Sequence, residues 1–318
     1  MSIVTPKEIA KAIKVNSYGV IGAFLGWILM KVLKISTINK IYNRHKHKQD
    51  LEFLNGLLED FKIRFEIPEE DFKRLPKDGA YITVSNHPLG GIDGILLLKL
   101  MLEQREDFKI IANFLLQRIE PLVPYIMPVN PFEDHKDAKS SIAGFKKSLL
   151  HLKNGHPLGV FPAGEVSTYK DGKLLVDKPW EPAAMKLIQR AEVPIIPIYF
   201  HAKNSPLFYR LSRISNTLRT AKLPSELLTQ KNRVIKVRIG KPISVKDQKE
   251  YDTLETFSDF IRRKTYMLSN SFEKVKILTN ISSSLKAIKP AKKIVTPVSK
   301  TIMSLEVAAL KSENHRLL

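Results

Sequence analysis

Two short stretches of this 318-residue chain hold the side chains that could do chemistry. The first is VSNHPLGGIDGILLL, residues 84–98. His87 is followed six residues later by Asp93, and the pair Gly90-Gly91 between them permits a tight backbone reversal. Such a reversal lets a carboxylate hold one imidazole nitrogen while the other takes a proton from a hydroxyl. The second is LGVFPAGEVS, residues 158–167. Taken alone it is a strand running into a turn that carries one carboxylate, Glu165, and one hydroxyl, Ser167.

Other chemistries find less support. The glycines after His87 fit neither GxGxxG nor GxxxxGK[ST], so a nucleotide loop is not indicated. Ser85 and Ser167 lack the G-x-S-x-G elbow of a hydrolase nucleophile. The chain has no cysteine, which excludes disulfides, thiolate metal sites, iron–sulfur clusters and a cysteine nucleophile. Asp134, His135 and Asp137 gather metal-binding types in a Lys-rich loop and read as solvated, and His45 and His47 lack a supporting carboxylate or thiolate; no metal is expected. His151 and His156 read as helix-end or solvent-facing residues, and His201 as structural.

The elements that must position these residues follow from the hydrophobic pattern. Five β-rich runs, at 80–86, 108–113, 156–162, 193–200 and 233–240, alternate with helical stretches, of which 181–191 opens with Pro182 as a helix-first residue does. The alternation predicts an α/β fold with a mostly parallel central sheet flanked by helices. His87 then falls at the carboxyl end of the first of these strands, where such sheets build their sites.

With EVPIIPIYF at 192–200, these stretches resemble the PlsC-like lysophospholipid acyltransferase superfamily, and within it the hemolysin-like branch of ornithine- and glycine-type aminolipid O-acyltransferases. Asn86, His87 and Asp93 match its first motif in the branch's HPxGGxDG form. FPAGEVS stands where the third motif falls, VPIIP is the fourth, and residues 112–132 have the pattern of a strand, a helix and a second short strand. The resemblance runs over residues 50–245. It implies the PlsC-like fold and acyl transfer from acyl-ACP or acyl-CoA to a lysolipid hydroxyl, with no cofactor beyond that co-substrate. It makes His87 the general base and Asp93 its orienting partner. Substrate contacts are implied for Asn86, Asn113, Gly164, Glu165 and Ser167, with N–H groups near Gly164 stabilising the oxyanion. The departures bear on the acceptor. Ala163 stands in the third motif's glutamate position, Val166 in its arginine position, and no arginine lies near Pro128-Val129-Asn130. Guanidinium forks suit phosphate, so their loss favours a lyso-aminolipid, such as an N-acyl glycine, serine or ornithine lipid. Acylation of 1-acylglycerol-3-phosphate to phosphatidic acid remains the alternative.

The formal charge is +20, and much of it sits at the ends: nine Lys/Arg against two Asp/Glu in residues 1–50, nine against three in 271–318. Such margins suit an anionic membrane surface or a nucleic acid. No interleaved aromatic motif or recognition helix supports the latter, so no nucleic-acid partner is expected, and nucleic-acid binding is kept only as a second alternative. Residues 18–30, YGVIGAFLGWILM, are uncharged between Lys14 and Lys31 but fall short of the ~20 residues a spanning helix needs. They read either as a buried core helix or as a monotopic or re-entrant anchor. The expected organisation is a membrane-associating helical segment (1–50), an acyltransferase domain (51–270) and a basic helical tail (271–318). The expected place is the cytoplasmic side of the inner membrane, held in a monotopic or peripheral manner.

Overall fold

The structure is a computed structural model that describes residues 5–8, 19–129, 138–170, 174–214, 216–270 and 277–279. The expectations for Asp134, His135 and Asp137, and for most of the 271–318 tail, lie outside the described residues.

Three helices, α1 (Gly19–Val32), α2 (Ile35–His45) and α3 (Asp50–Phe61), precede the sheet. The chain then runs through β1 (Arg64–Pro68), α4 (Glu69–Phe72), β2 (Ile82–Ser85), α5 (Gly91–Leu102) and β3 (Lys109–Asn113). Two 3-10 turns, Phe114–Arg118 and Glu120–Tyr125, lead to β4 (Ile126–Val129), α6 (Ala138–Lys153) and β5 (Leu158–Val160). A hairpin of β6 (Thr168–Lys170) and β7 (Leu174–Val176) precedes α7 (Pro182–Ala191) and β8 (Ile195–His201). The rest is α8 (Pro206–Ile214), α9 (Asn216–Thr229), β9 (Val234–Ile239), α10 (Val245–Gln248), α11 (Leu254–Tyr266) and β10 (Ile277–Thr279).

The sheet order is β10-β1-β9-β8-β2-β5-β3-β4. Every neighbouring pair is parallel except β8 with β9 and β1 with β10. A mostly parallel sheet is covered on both faces, so its central strands are buried on both; all four residues of β2 are buried, Thr83 and Ser85 included. Side chains alternate between the faces with period two. Ile196, Ile198 and Phe200 of β8 join Phe53, Leu54 and Leu96 on one side, while Ile195 joins Met185, Ile188 and Phe257 on the other.

All five expected strands are present; among the described residues four further short strands (β1, β6, β7 and β10) and four helices (α4, α8, α9 and α10) were not expected from the sequence. β1 carries Arg64 and Glu66 between buried Phe65 and Ile67, an alternation masked by its charge. α8 and α9 cross from β8 to β9, an antiparallel pair that needs no covering crossover helix. Of the tail, the described residues Ile277–Thr279 form a strand on β1 rather than a helix. At the helix end near 151–156 the two histidines are clasps: His151 Nε2 lies 3.1 Å from the Pro157 carbonyl and His156 Nδ1 2.6 Å from Asp107.

The helix α1 is not a core helix. Its buried residues are Gly22, Gly26 and Met30, one turn apart, whereas Val20, Ile21, Phe24, Leu25, Trp27 and Ile28 are exposed. Among the described residues no single helix is long and apolar enough to cross a membrane; α1 and α2 pass such a test only together, bent by 76°.

Candidate active site

β2 ends at Ser85, and the backbone then leaves the sheet with both of its flanks fastened. The Asn86 amide donates to the Phe200 carbonyl (3.1 Å), and the Phe200 N–H donates to Asn86 Oδ1 (2.7 Å). Both ends of this amide are therefore committed to β8. Asn86 thereby fixes where the next residue stands.

That next residue is His87. The turn back toward it requires Gly90, whose φ is +80° and whose position would bring any Cβ to 3.1 Å from Val166 Cγ2. Asp93, in the first turn of α5, closes the turn: its Oδ2 accepts from the N–H groups of Leu89 (2.7 Å) and Gly90 (3.0 Å). A carboxylate there also faces the positive end of the helix dipole. The same oxygen lies 3.2 Å from His87 Nδ1, off the line of a well-aligned hydrogen bond. Asp93 is fully buried, and its Oδ1 has no partner among the described residues. Burial pushes this carboxyl above the ordinary range, against the opposing pull of His87 and of the two backbone N–H groups.

The imidazole is about one-fifth exposed, 18%, and its ring lies against Phe161 at a centroid distance of 4.3 Å. Nδ1 is shut in beside Asp93, while Nε2 has no protein partner among the described residues. One nitrogen is held by an acid and the other is open, which is the arrangement a general base requires.

A second buried carboxylate, absent from the sequence expectations, fastens the loop from behind. Asp177 Oδ1 accepts the His87 N–H (3.1 Å) and the Ser167 hydroxyl (2.5 Å), and its Oδ2 accepts the Trp180 indole N–H (3.3 Å). The Ser167 N–H donates in turn to the His87 carbonyl (2.9 Å). Tyr266 Oη accepts the Asp177 N–H (2.7 Å), and the Arg262 guanidinium donates to the Asp177 carbonyl (2.8 Å). The only sequence signal for this strut is its place beside Pro179-Trp180, which reads as packing.

The remaining expected residues divide. Ser167 is buried with its hydroxyl spent on Asp177, and Ser85 is wholly buried. Neither is placed to reach a substrate as a nucleophile. Gly164 adopts φ +62°, and its N–H closes the turn onto the Phe161 carbonyl (3.0 Å), so that N–H is not an oxyanion donor. Glu165 stays in the site, bound through Oε2 to Lys178 Nζ (2.7 Å) and Arg219 Nη2 (2.5 Å). Burial raises its pKa, but the two cations outweigh that and hold the carboxyl below the ordinary value. Asn113 lies apart: β5 separates its strand from β2, and its side chain accepts the Leu115 N–H (2.9 Å) to start a 3-10 turn. Arg219 is a further residue missed from sequence, because α9, which carries it, has no motif of its own.

The sequence pattern of the Acyltransferase family matches residues 10–275 of this chain. A lyso-glycine lipid O-acyltransferase of Bacteroides thetaiotaomicron is 28% identical over 262 residues, covering 80% of this chain and 93% of that protein. A protein of the same name from Phocaeicola vulgatus is 26% identical over 273 residues, covering 82% and 94%. Among solved structures, the 1-acyl-sn-glycerophosphate acyltransferase PlsC of Thermotoga maritima is similar with a TM-score of 0.42 and 17% identity, over 85% of this chain and 97% of that one.

Proposed function

Because this chain belongs to the acyltransferase family, we propose that it moves a fatty acyl group from acyl-ACP or acyl-CoA to the hydroxyl of a lyso-aminolipid. The observation that carries this reading is the His87–Asp93 pair, with Nδ1 enclosed against the acid and Nε2 open. The names of the two bacterial relatives support a glycine-type acceptor.

His87 Nε2 takes the acceptor's hydroxyl proton as the oxygen attacks the thioester carbonyl carbon. The imidazolium so formed is stabilised by the Asp93 carboxyl beside Nδ1, which orients the ring. When the tetrahedral intermediate collapses, the carbon–sulfur bond breaks and the leaving thiolate takes the proton back from Nε2. No covalent acyl-enzyme is needed, in keeping with two buried serines and no cysteine. The N–H groups of Glu165 and Val166, which donate to no protein acceptor among the described residues, are candidates for the developing oxyanion.

The acceptor is taken from a membrane, with the chain lying on its cytoplasmic face. α1 supports this reading: it turns glycines inward and bulky apolar side chains outward, the reverse of a helix in water, and Lys31 stands 4.1 Å over the Trp27 ring at its end. A second apolar outcrop, Phe114, Leu115 and Val123, lies on the segment that Arg118 ties to Glu8.

Expression in a bacterial host without aminolipids, with and without a supplied hydroxylated N-acyl amino acid, tests the reading by lipid mass spectrometry. A diacylated aminolipid that depends on both the enzyme and the supplied acceptor is expected. Accumulation of phosphatidic acid alone would transfer the assignment to the phosphate-headed alternative.

A further inference from the structure

Resting on the reading of a lyso-aminolipid acceptor, we propose that Arg219 and Lys178 form the acceptor's headgroup site, and that the group they take is a carboxylate. The arginines missing from the sequence motifs are replaced here by cations from elsewhere in the chain, one on α9 and one following the buried Asp177.

Both cations meet Glu165 at the same oxygen, Oε2. Arg219 is 6% exposed, and among the described residues Nη2 to Glu165 is its one hydrogen bond. The rest of a five-donor fork is uncommitted, as is the rest of the Lys178 ammonium. Two cations against one anion leave a surplus of one positive charge. A carboxylate headgroup cancels that surplus; a phosphate monoester, at about −1.5 to −2, exceeds it. Glu165, the most exposed of the three at 46%, keeps the cations aimed while the site is empty.

The cluster stands beside the base. Glu165 lies two residues before Ser167, whose N–H donates to the His87 carbonyl, and Lys178 follows Asp177, which accepts the His87 N–H. Each is thus within roughly 7 Å of chain from a residue bonded to His87 itself. One turn after Arg219, Leu223 packs over the turn at Gly90, where a Cβ would meet it at 3.3 Å. A headgroup held here places a hydroxyl on its own acyl chain within reach of the imidazole.

The test compares kcat/KM for a hydroxylated N-acyl glycine with that for its methyl ester, and for lysophosphatidate, at one donor concentration. The wild type is expected to prefer the acid over the ester by about ten- to a hundred-fold, the worth of one charged hydrogen bond. Arg219→Gln and Lys178→Gln should each bring that ratio toward one, chiefly through KM. A role in folding alone lowers both acceptors together and leaves the ratio standing, which would overturn the proposal. So would equal use of acid and ester by the wild type, or preference for lysophosphatidate. Use of none of the three would instead remove the acceptor reading on which the proposal rests.

Discussion

Two buried aspartates serve His87, and they are treated in opposite ways. Asp177 is saturated: its carboxylate takes three hydrogen bonds from His87, Ser167 and Trp180, and Tyr266 and Arg262 hold its backbone. Asp93 is left under-satisfied, with Oδ1 unpartnered and its pKa pushed up by burial. A carboxylate that only holds a loop is most stable fully bonded. One that must respond to a charge appearing on its neighbour keeps acceptor capacity in reserve, at a cost to stability. The difference separates positioning from chemistry, and it can be broken at either end.

The largest effect falls on rate. Asp93→Asn removes the charge that stabilises the imidazolium and should lower kcat about 10²- to 10⁴-fold. Stability should move the other way or stay. A buried carboxyl whose pKa is raised favours the fold when protonated, below its unfolded pKa, and loses that contribution as pH rises through the folded value. At neutral pH the neutral amide therefore unfolds at no lower temperature than the wild type. A large fall in melting temperature would mean that Asp93 is a structural strut like Asp177.

Asp177→Ala should do the reverse. It strands three donors, the buried ones costing about 1–3 kcal/mol each, so urea unfolding should report a loss of about 3–5 kcal/mol. The residual activity of the fraction still folded should exceed that of Asp93→Asn. Equal rate losses in the two folded proteins would erase the contrast.

The smallest effect separates the two by pH. Burial holds the His201 imidazole, at the end of the strand that Asn86 clasps, down at about 4 from the ordinary 6.5. Between those values the unfolded chain takes a proton and the folded one does not. Stability is therefore intact above pH 6.5, falls as pH drops through the window and levels off below 4. The wild type should lose about 2 kcal/mol between pH 7 and pH 5, and His201→Gln should lose less. Asp93→Asn should lose at least as much as the wild type, because the titration it removes has the opposite sign and offsets part of the loss.

The legible part of the site was local. His87 and Asp93 lie in one turn, and Gly90 between them announces the reversal, so residue types six apart carried the geometry. The five expected strands were legible because each is a short run rich in β-branched and other apolar residues, most plainly β2 and β8, which are buried almost throughout. Asp177 and Arg219 were not legible, since the first bonds a peptide 90 residues away and the second a carboxylate 54 residues away. Nothing in a short window distinguishes them from surface charges. Some signals were present and unread: the alternation of Phe65 and Ile67 in β1, and Ser205-Pro206 opening α8, where the Ser205 hydroxyl accepts the Phe208 N–H (3.3 Å). Charge in the first and the absence of a motif near the second hid them.

Acyl transfer here depends on Nε2 of His87 as the base. The direct measurement is the transfer rate of His87→Ala with acyl thioester and hydroxylated N-acyl glycine in vesicles, alongside its circular dichroism and its binding to the same vesicles. A fall of at least about 10²-fold is expected, with fold and membrane binding unchanged. Transfer within a few-fold of the wild type, by a protein equally folded and bound, would contradict it.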